Sequence, residues 1–151
     1  MSYIERLNQK EEFEHWQGAS TQEILHIEKK LNVMLPRQYK KFLSECGMCN
    51  IGDTNILGVA KDETSLFYPV IDVTTEMRVE SNLSEEFIVI SYEVGEYLML
   101  YKISKTQELE DSAVYGVDIQ YNDLGQMICE RPQKLFTSFK EYFIDFLELG
   151  A

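Results

Sequence analysis

Cys46 and Cys49 stand in the stretch Glu-Cys-Gly-Met-Cys-Asn with Cys-x-x-Cys spacing, and Cys129 is the third and last cysteine. That spacing serves dithiol redox chemistry or half of a zinc site. A redox pair needs a thiolate, and the usual device is a helix N-terminus beside the first cysteine. Here an amphipathic helical pattern precedes the pair. Cys46 therefore falls at a helix C-terminal end, where the dipole opposes negative charge, and it lies on the apolar stripe. The expectation is a buried, unreactive Cys46, with Cys49 alone open as an accessible thiol. A structural zinc site needs four ligands. Besides the cysteines the chain offers only His15 and His26, with no second Cys-x-x-Cys and no His-x-x-x-His. No metal and no cofactor are expected. Neither histidine belongs to a matched nucleophile motif, and Gly-x-Ser-x-Gly, the P-loop and Gly-x-Gly-x-x-Gly are all missing. Asp-Thr-Asn-Ile-Leu-Gly at residues 53–58 opens like a calcium loop but lacks the later acidic ligand. No catalytic residue is assigned, so the chain reads as a non-enzyme. A small thiol or metal enzyme built on Cys46, Cys49 and Cys129 is the competing reading from a different class.

Carboxylates are the abundant functional groups. Glu93 and Glu96 flank a turn at Gly95; Glu108, Glu110 and Asp111 form an acidic loop; Asp118 and Asp123 lie at or near another turn. None makes a catalytic pair by spacing. They are either solvated loop residues or a negative patch at one edge or face of a sheet that meets a basic protein. The formal net charge of −12 repels nucleic acid and anionic membranes and favours cationic partners.

These groups need a scaffold, and its elements can be read in outline. Residues 3–17 suggest a first helix with Phe13 and Trp16 on one face and Gly18 as its stop. Ser20 and Glu23 have capping-box spacing, and Ile24, Ile27 and Leu31 follow as an apolar stripe. A third helix opens at Leu35-Pro36, proline being preorganised for a first helical position. It carries Tyr39, Phe42, Leu43 and Cys46 on one face, and Gly47 sits where a left-handed cap belongs. The pattern then turns to strands at residues 54–59, an extended run broken by Pro69, and a short helix capped by Asp72. Strong strands follow at residues 87–91 and 97–103, then at 113–119 and 126–130 around the turn Tyr-Asn-Asp-Leu-Gly. Residues 137–149 form a closing amphipathic helix with Thr137 as candidate cap. This order implies an α+β fold: N-terminal helices, a central mainly antiparallel sheet, and a C-terminal helix packed on it. One sheet face should be covered by helices and the other at least partly wet.

The length of 151 residues suits one domain spanning the whole chain. No apolar run is long enough to span a bilayer. The charged start lacks a secretory h-region, and the odd cysteine count fits a reducing compartment. The expected location is cytoplasmic.

Residues 24–47, Ile-Leu-His-Ile-Glu-Lys-Lys-Leu-Asn-Val-Met-Leu-Pro-Arg-Gln-Tyr-Lys-Lys-Phe-Leu-Ser-Glu-Cys-Gly, resemble the signature of the SUKH superfamily, the Smi/Knr-like proteins. The match runs through Ile24, Glu28, Leu31, Leu35, Pro36, Tyr39, Phe42, Leu43 and Gly47. Residues 87–101 resemble the family's strand, acidic turn and strand, and residues 138–147 its C-terminal helix. The likeness covers about residues 20 to 148. Where the family often has Asn-Gly after the second helix, this chain has Cys46-Gly47. The resemblance implies an α+β fold without catalytic residues and, for bacterial members, an immunity protein of a polymorphic toxin system. Such a protein neutralises a cognate toxin, often a nuclease. The fungal branch implies scaffolds of cell-wall synthesis and signalling. The expectation is a cytoplasmic antitoxin that occludes a basic nuclease domain and binds neither nucleic acid nor membrane. Its partner contacts are expected at Tyr92, Glu93, Glu96, Tyr97, Asp118 and Asp123; an interaction scaffold of the same fold is the alternative.

Overall fold

A computed structural model describes residues 1–94 and 96–150. The elements run α1 (Tyr3–Asn8), β1 (Glu14–His15), α2 (Thr21–Leu31), α3 (Arg37–Cys46), β2 (Cys49–Ile51), β3 (Thr54–Ile56), β4 (Ala60–Lys61), β5 (Leu66–Phe67), α4 (Pro69–Glu80), β6 (Phe87–Glu93), β7 (Tyr97–Lys102), β8 (Val114–Tyr121), β9 (Met127–Cys129), β10 (Gln133–Phe136) and α5 (Phe139–Leu147). The class is α+β, with every strand pair antiparallel.

The Ser20/Glu23 capping box forms as its spacing demands: Ser20 Oγ accepts from the Glu23 N–H at 3.2 Å, and Glu23 accepts from the Ser20 N–H at 2.8 Å. A second box, Ser2 with Glu5, starts α1. That helix stops at Asn8 instead of continuing to residue 17. Phe13 then packs on Phe146, with ring centroids 5.4 Å apart, and Glu14 and His15 pair with β2. Cross-strand pairing has overridden a weak helical periodicity. Glu28 joins α2 to α3, accepting from the Leu35 N–H at 2.8 Å and facing Lys40 at 3.6 Å. Pro36 caps α3 from outside rather than occupying its first turn.

Gly47 ends α3 at φ +69, ψ −65, a positive-φ cap outside the left-handed helical well. A Cβ there would lie 2.2 Å from the Gln17 carbonyl oxygen and 2.8 Å from that of Val59, so glycine is required twice over. Pro69 opens α4 rather than breaking a strand, and Asp72 lies in the first turn instead of capping it. Ser138, not Thr137, caps α5. Thr137 donates instead to the Glu141 carboxylate at 2.6 Å.

The main sheet runs β6–β7–β8, with β9 and β10 in succession along the far edge of β8. One face carries Ile88, Tyr101 and Val114 in register. Tyr101 packs against Tyr39 of α3 and Phe139 of α5, with centroids at 5.7 and 5.6 Å. The other face carries Val89, Leu98, Leu100 and Val117, buried at its centre. Phe87, Tyr92 and Tyr115 on that face are half-buried and Lys102, in register with Phe87, is exposed, so that face is partly wet. The outer edge of β6 is closed. Thr74 Oγ1 accepts from the Val89 N–H at 2.9 Å, and the Leu57 N–H donates to the Ile90 carbonyl at 2.7 Å, beside a bulge between Val89 and Ser91.

Asp111 locks the aromatic face to α5. Its Oδ1 accepts from the Tyr101 hydroxyl at 2.7 Å and the Phe139 N–H at 2.8 Å, while Oδ2 accepts from the Lys140 N–H at 3.3 Å.

Candidate partner-binding surface

Register decides which carboxylates share a surface. Tyr97 of β7 pairs with Glu93 on one side and Asp118 on the other. Residues in register point to the same face, so the three form a row across β6, β7 and β8 on the face that bears Tyr101. Gly116 lies beside this row, and a Cβ on it would come 2.0 Å from the Tyr97 hydroxyl oxygen. The tyrosine side chain thus fills the space above a strand glycine. Partial burial, then Asp118 and Glu93, push that hydroxyl above the ordinary tyrosine range.

Tyr92 is in register with Leu98 and projects to the opposite face. The two tyrosines bracketing the turn therefore do not form one contact. Glu96 is exposed in that turn. Its N–H donates to the Glu93 carbonyl at 2.9 Å, and its carbonyl accepts from the Ile119 N–H at 2.9 Å. Gly95, expected at the turn, lies outside the described residues. Asp123 is exposed in the loop between β8 and β9.

The remaining acids divide by whether the fold already uses them. Glu108 bonds Lys40 and Arg37, which hold its carboxyl below the usual range. Asp111 serves α5, Glu23 pairs with Lys61 and Glu85 with Lys105. The acidic loop at residues 108–111 is thus largely internal machinery. Among the described residues no lysine or arginine makes an ion pair with Glu93, Glu96, Asp118 or Asp123.

Beyond Asp118, β8 pairs only with β9, and the two make an arm. It reaches the end of α4, where Val79, Glu80, Asn82, Tyr121, Met127 and Ile128 line an open groove of about 510 Å³. Val79 is 77% exposed, Tyr121 53% and Leu124 at the arm's tip 82%. Reading charge and turn signals alone misses this apolar set. A leucine within Tyr-Asn-Asp-Leu-Gly, where turns favour polar residues, is its sequence sign.

The thiols make no reactive centre. Cys46 and Cys49 are both fully buried. Cys49, expected to be accessible, is covered because β2 pairs on both sides and turns this residue into the core. Burial, with Glu45 adding, pushes the Cys46 thiol up to about 12. Burial followed by Cys46 raises Cys49 well above its ordinary value. Cys129 is half-buried on β9. His15 Nδ1 lies 2.7 Å from the Trp16 carbonyl oxygen, and the His26 ring lies tilted against Tyr68 with centroids 4.7 Å apart. Among the described residues no three His, Cys, Asp or Glu side chains converge as metal ligands would. Among them, too, no helix is long and apolar enough to cross a membrane.

The arrangement defines an α+β protein with an antiparallel five-stranded sheet and unpaired carboxylates at one end of it. The family model described as SUKH_5, SMI1-KNR4 cell-wall, matches residues 1–148, and the chain belongs to that family. No curated protein matches the chain.

Proposed function

We infer that this protein is a cytoplasmic immunity protein that binds a cognate toxin, a basic nuclease domain, and neutralises it by covering the active site. It acts by binding and not by catalysis. Membership of the SUKH family, whose members are often immunity proteins and generally not enzymes, supports the class. The observation that carries the mechanism is the row Glu93–Tyr97–Asp118, with Glu96 beside it: carboxylates that no lysine or arginine pairs with among the described residues, around a tyrosine lying over Gly116. Unpaired charge with an aromatic at its centre suits a basic surface, and the overall charge of −12 steers such a surface inward. Tyr92 and Asp123 flank the row from the opposite face and from the arm.

The test is co-expression with the toxin encoded beside the gene, scored by survival. Protection should fall with the combined change Glu93→Gln, Glu96→Gln and Asp118→Asn, and the association rate should drop as ionic strength rises. If no adjacent toxin is neutralised or co-purifies, the reading fails. The cell-wall wording of the family description supports a second reading, an interaction scaffold of the same fold. It predicts a stable partner complex without any effect on survival.

A further inference from the structure

We propose that the β8–β9 arm and the end of α4 form a docking site for a basic polypeptide segment that carries one large apolar side chain, which enters the groove between Val79 and Tyr121. This rests on reading the acidic end of the sheet as a contact for a cationic polypeptide, and not on that partner being a toxin.

Three features of the structure lead here. First, exposed Val79 and Tyr121 line the groove together with half-buried Met127, which is in register with Tyr121 and shares its face, and Leu124 stands exposed at the tip of the same arm. Isolated exposed hydrophobes are ordinary, but a group around a concavity marks a contact.

Second, the tip is rigid. Asn122 Oδ1 accepts from the Leu124 and Gln126 N–H groups, each at 2.9 Å, and its Nδ2 donates to Gln126 Oε1 at 2.8 Å. The Asn122 N–H closes the loop onto the Gln126 carbonyl at 3.0 Å, and Gly125 supplies the φ of +76. Leu124 is therefore presented outward on a preformed turn, and a partner would spend little ordering entropy on it.

Third, the border is negative. Glu80 lies in the groove wall, Asp123 is next to Leu124, and Glu130 follows β9. Glu96 is tied to the arm through its carbonyl bond with the Ile119 N–H. Of the nearby cations, Arg78 is turned inward to the carbonyls of Leu31 and Phe87, at 3.0 and 3.5 Å. Arg131 and, further along the same edge on β10, Lys134 are exposed positive charges. The other exposed apolar pair, Leu66 and Phe67, has no such bias: its groove is bordered by Lys30, His26 and Asp72. Charge thus selects the occupant of the arm site. An apolar centre inside an acidic rim fits a lysine- or arginine-rich segment with a buried Phe, Leu or Met.

The test uses the full ¹⁵N-labelled chain and two short lysine peptides, one with a central phenylalanine and one with alanine in its place. The phenylalanine peptide should bind at least ~10-fold more tightly, the scale of one well-buried aromatic contact. It should shift the amide resonances of Val79, Tyr121, Leu124 and Ile128. In Val79→Ser and Tyr121→Ser chains the two peptides should bind alike, while thermal melts stay nearly unchanged because both side chains are exposed. Equal binding of the two peptides to the unmodified chain overturns the proposal, as do shifts confined to the Phe67 groove. Failure of toxin protection with peptide discrimination intact would remove the immunity reading and leave this site standing.

Discussion

Replacing Asp111 by alanine removes the acceptor that ties the sheet to α5. Oδ1 serves the Tyr101 hydroxyl and the Phe139 N–H, Oδ2 the Lys140 N–H. Tyr101 is fully buried, so its hydroxyl would be left without a partner at a cost of about 1–3 kcal/mol. Losing a carboxylate at the α5 N-terminus adds about 0.5–1 kcal/mol, with Ser138 still capping the helix. The combined loss is about 1.5–4 kcal/mol, a large share of the roughly 5–15 kcal/mol that holds a domain together. For a chain of this size it corresponds to a Tm drop of roughly 5–15 °C. Asp111→Asn keeps one carbonyl oxygen and should fall between the two. Tyr101→Phe removes the donor and leaves Asp111 its backbone partners, so it should cost only about 1 kcal/mol. The double variant should then be less unstable than the sum of the singles by about 1 kcal/mol, since the orphaned hydroxyl is gone. Urea unfolding followed by far-ultraviolet circular dichroism reads all four chains. A loss under about 1 kcal/mol for Asp111→Ala, or strict additivity in the double variant, would refute the argument.

Stability should fall in alkali. Burial raises Tyr3, Tyr39, Tyr101 and Tyr142 above the ordinary tyrosine range, and Cys46 to about 12. The folded state therefore holds protons that the unfolded chain releases. This contribution is complete below the unfolded values and is lost as pH rises, for Cys46 from about 9 toward about 12. Urea midpoints that stay constant from neutral pH to about 11 would contradict it. Thiol titration should find Cys46 and Cys49 unreactive at neutral pH without denaturant, leaving Cys129 as the only thiol to react. Rapid labelling of two or three thiols in the folded chain would contradict the burial argument.

What could be read in the sequence was what neighbouring residues determine together. The Ser20/Glu23 box, the stripe from Tyr39 to Cys46 and the apolar runs of β6, β7 and β8 each satisfy a local period, and each stands where it was expected. Strands of two to four residues such as β1, β4, β5 and β10 have too little sequence to carry a period; their pairing partners define them. The same holds for caps: Thr137 and Ser138 are chemically alike, yet Ser138 Oγ accepts from the Glu141 N–H while Thr137 bonds the Glu141 carboxylate. The acids show the limit for a site. Glu93 and Glu108 look equivalent in the chain, yet Glu108 is neutralised by Lys40 and Arg37 from 68 and 71 residues away, while among the described residues no lysine or arginine pairs with Glu93. Period-two alternation alone separates Tyr92 from Tyr97 once the register is known, and a bulge at Ile90 shifts that register within β6.

The hydrogen bonds that Thr74 and Leu57 make to β6, together with the Arg78 contact to the Phe87 carbonyl, have a consequence for how copies of this chain meet one another. A sheet margin with unused amides and carbonyls invites a neighbour's strand and grows by templating. Here that margin is occupied at Phe87, Val89 and Ile90. On the opposite side the row of short strands is interrupted at Glu130–Pro132, and proline offers no amide to extend it. Molecules crowded together thus have little backbone through which to zip into fibres. An acidic protein built in this way can accumulate ahead of its partner and still present side chains, rather than strands, when the partner arrives.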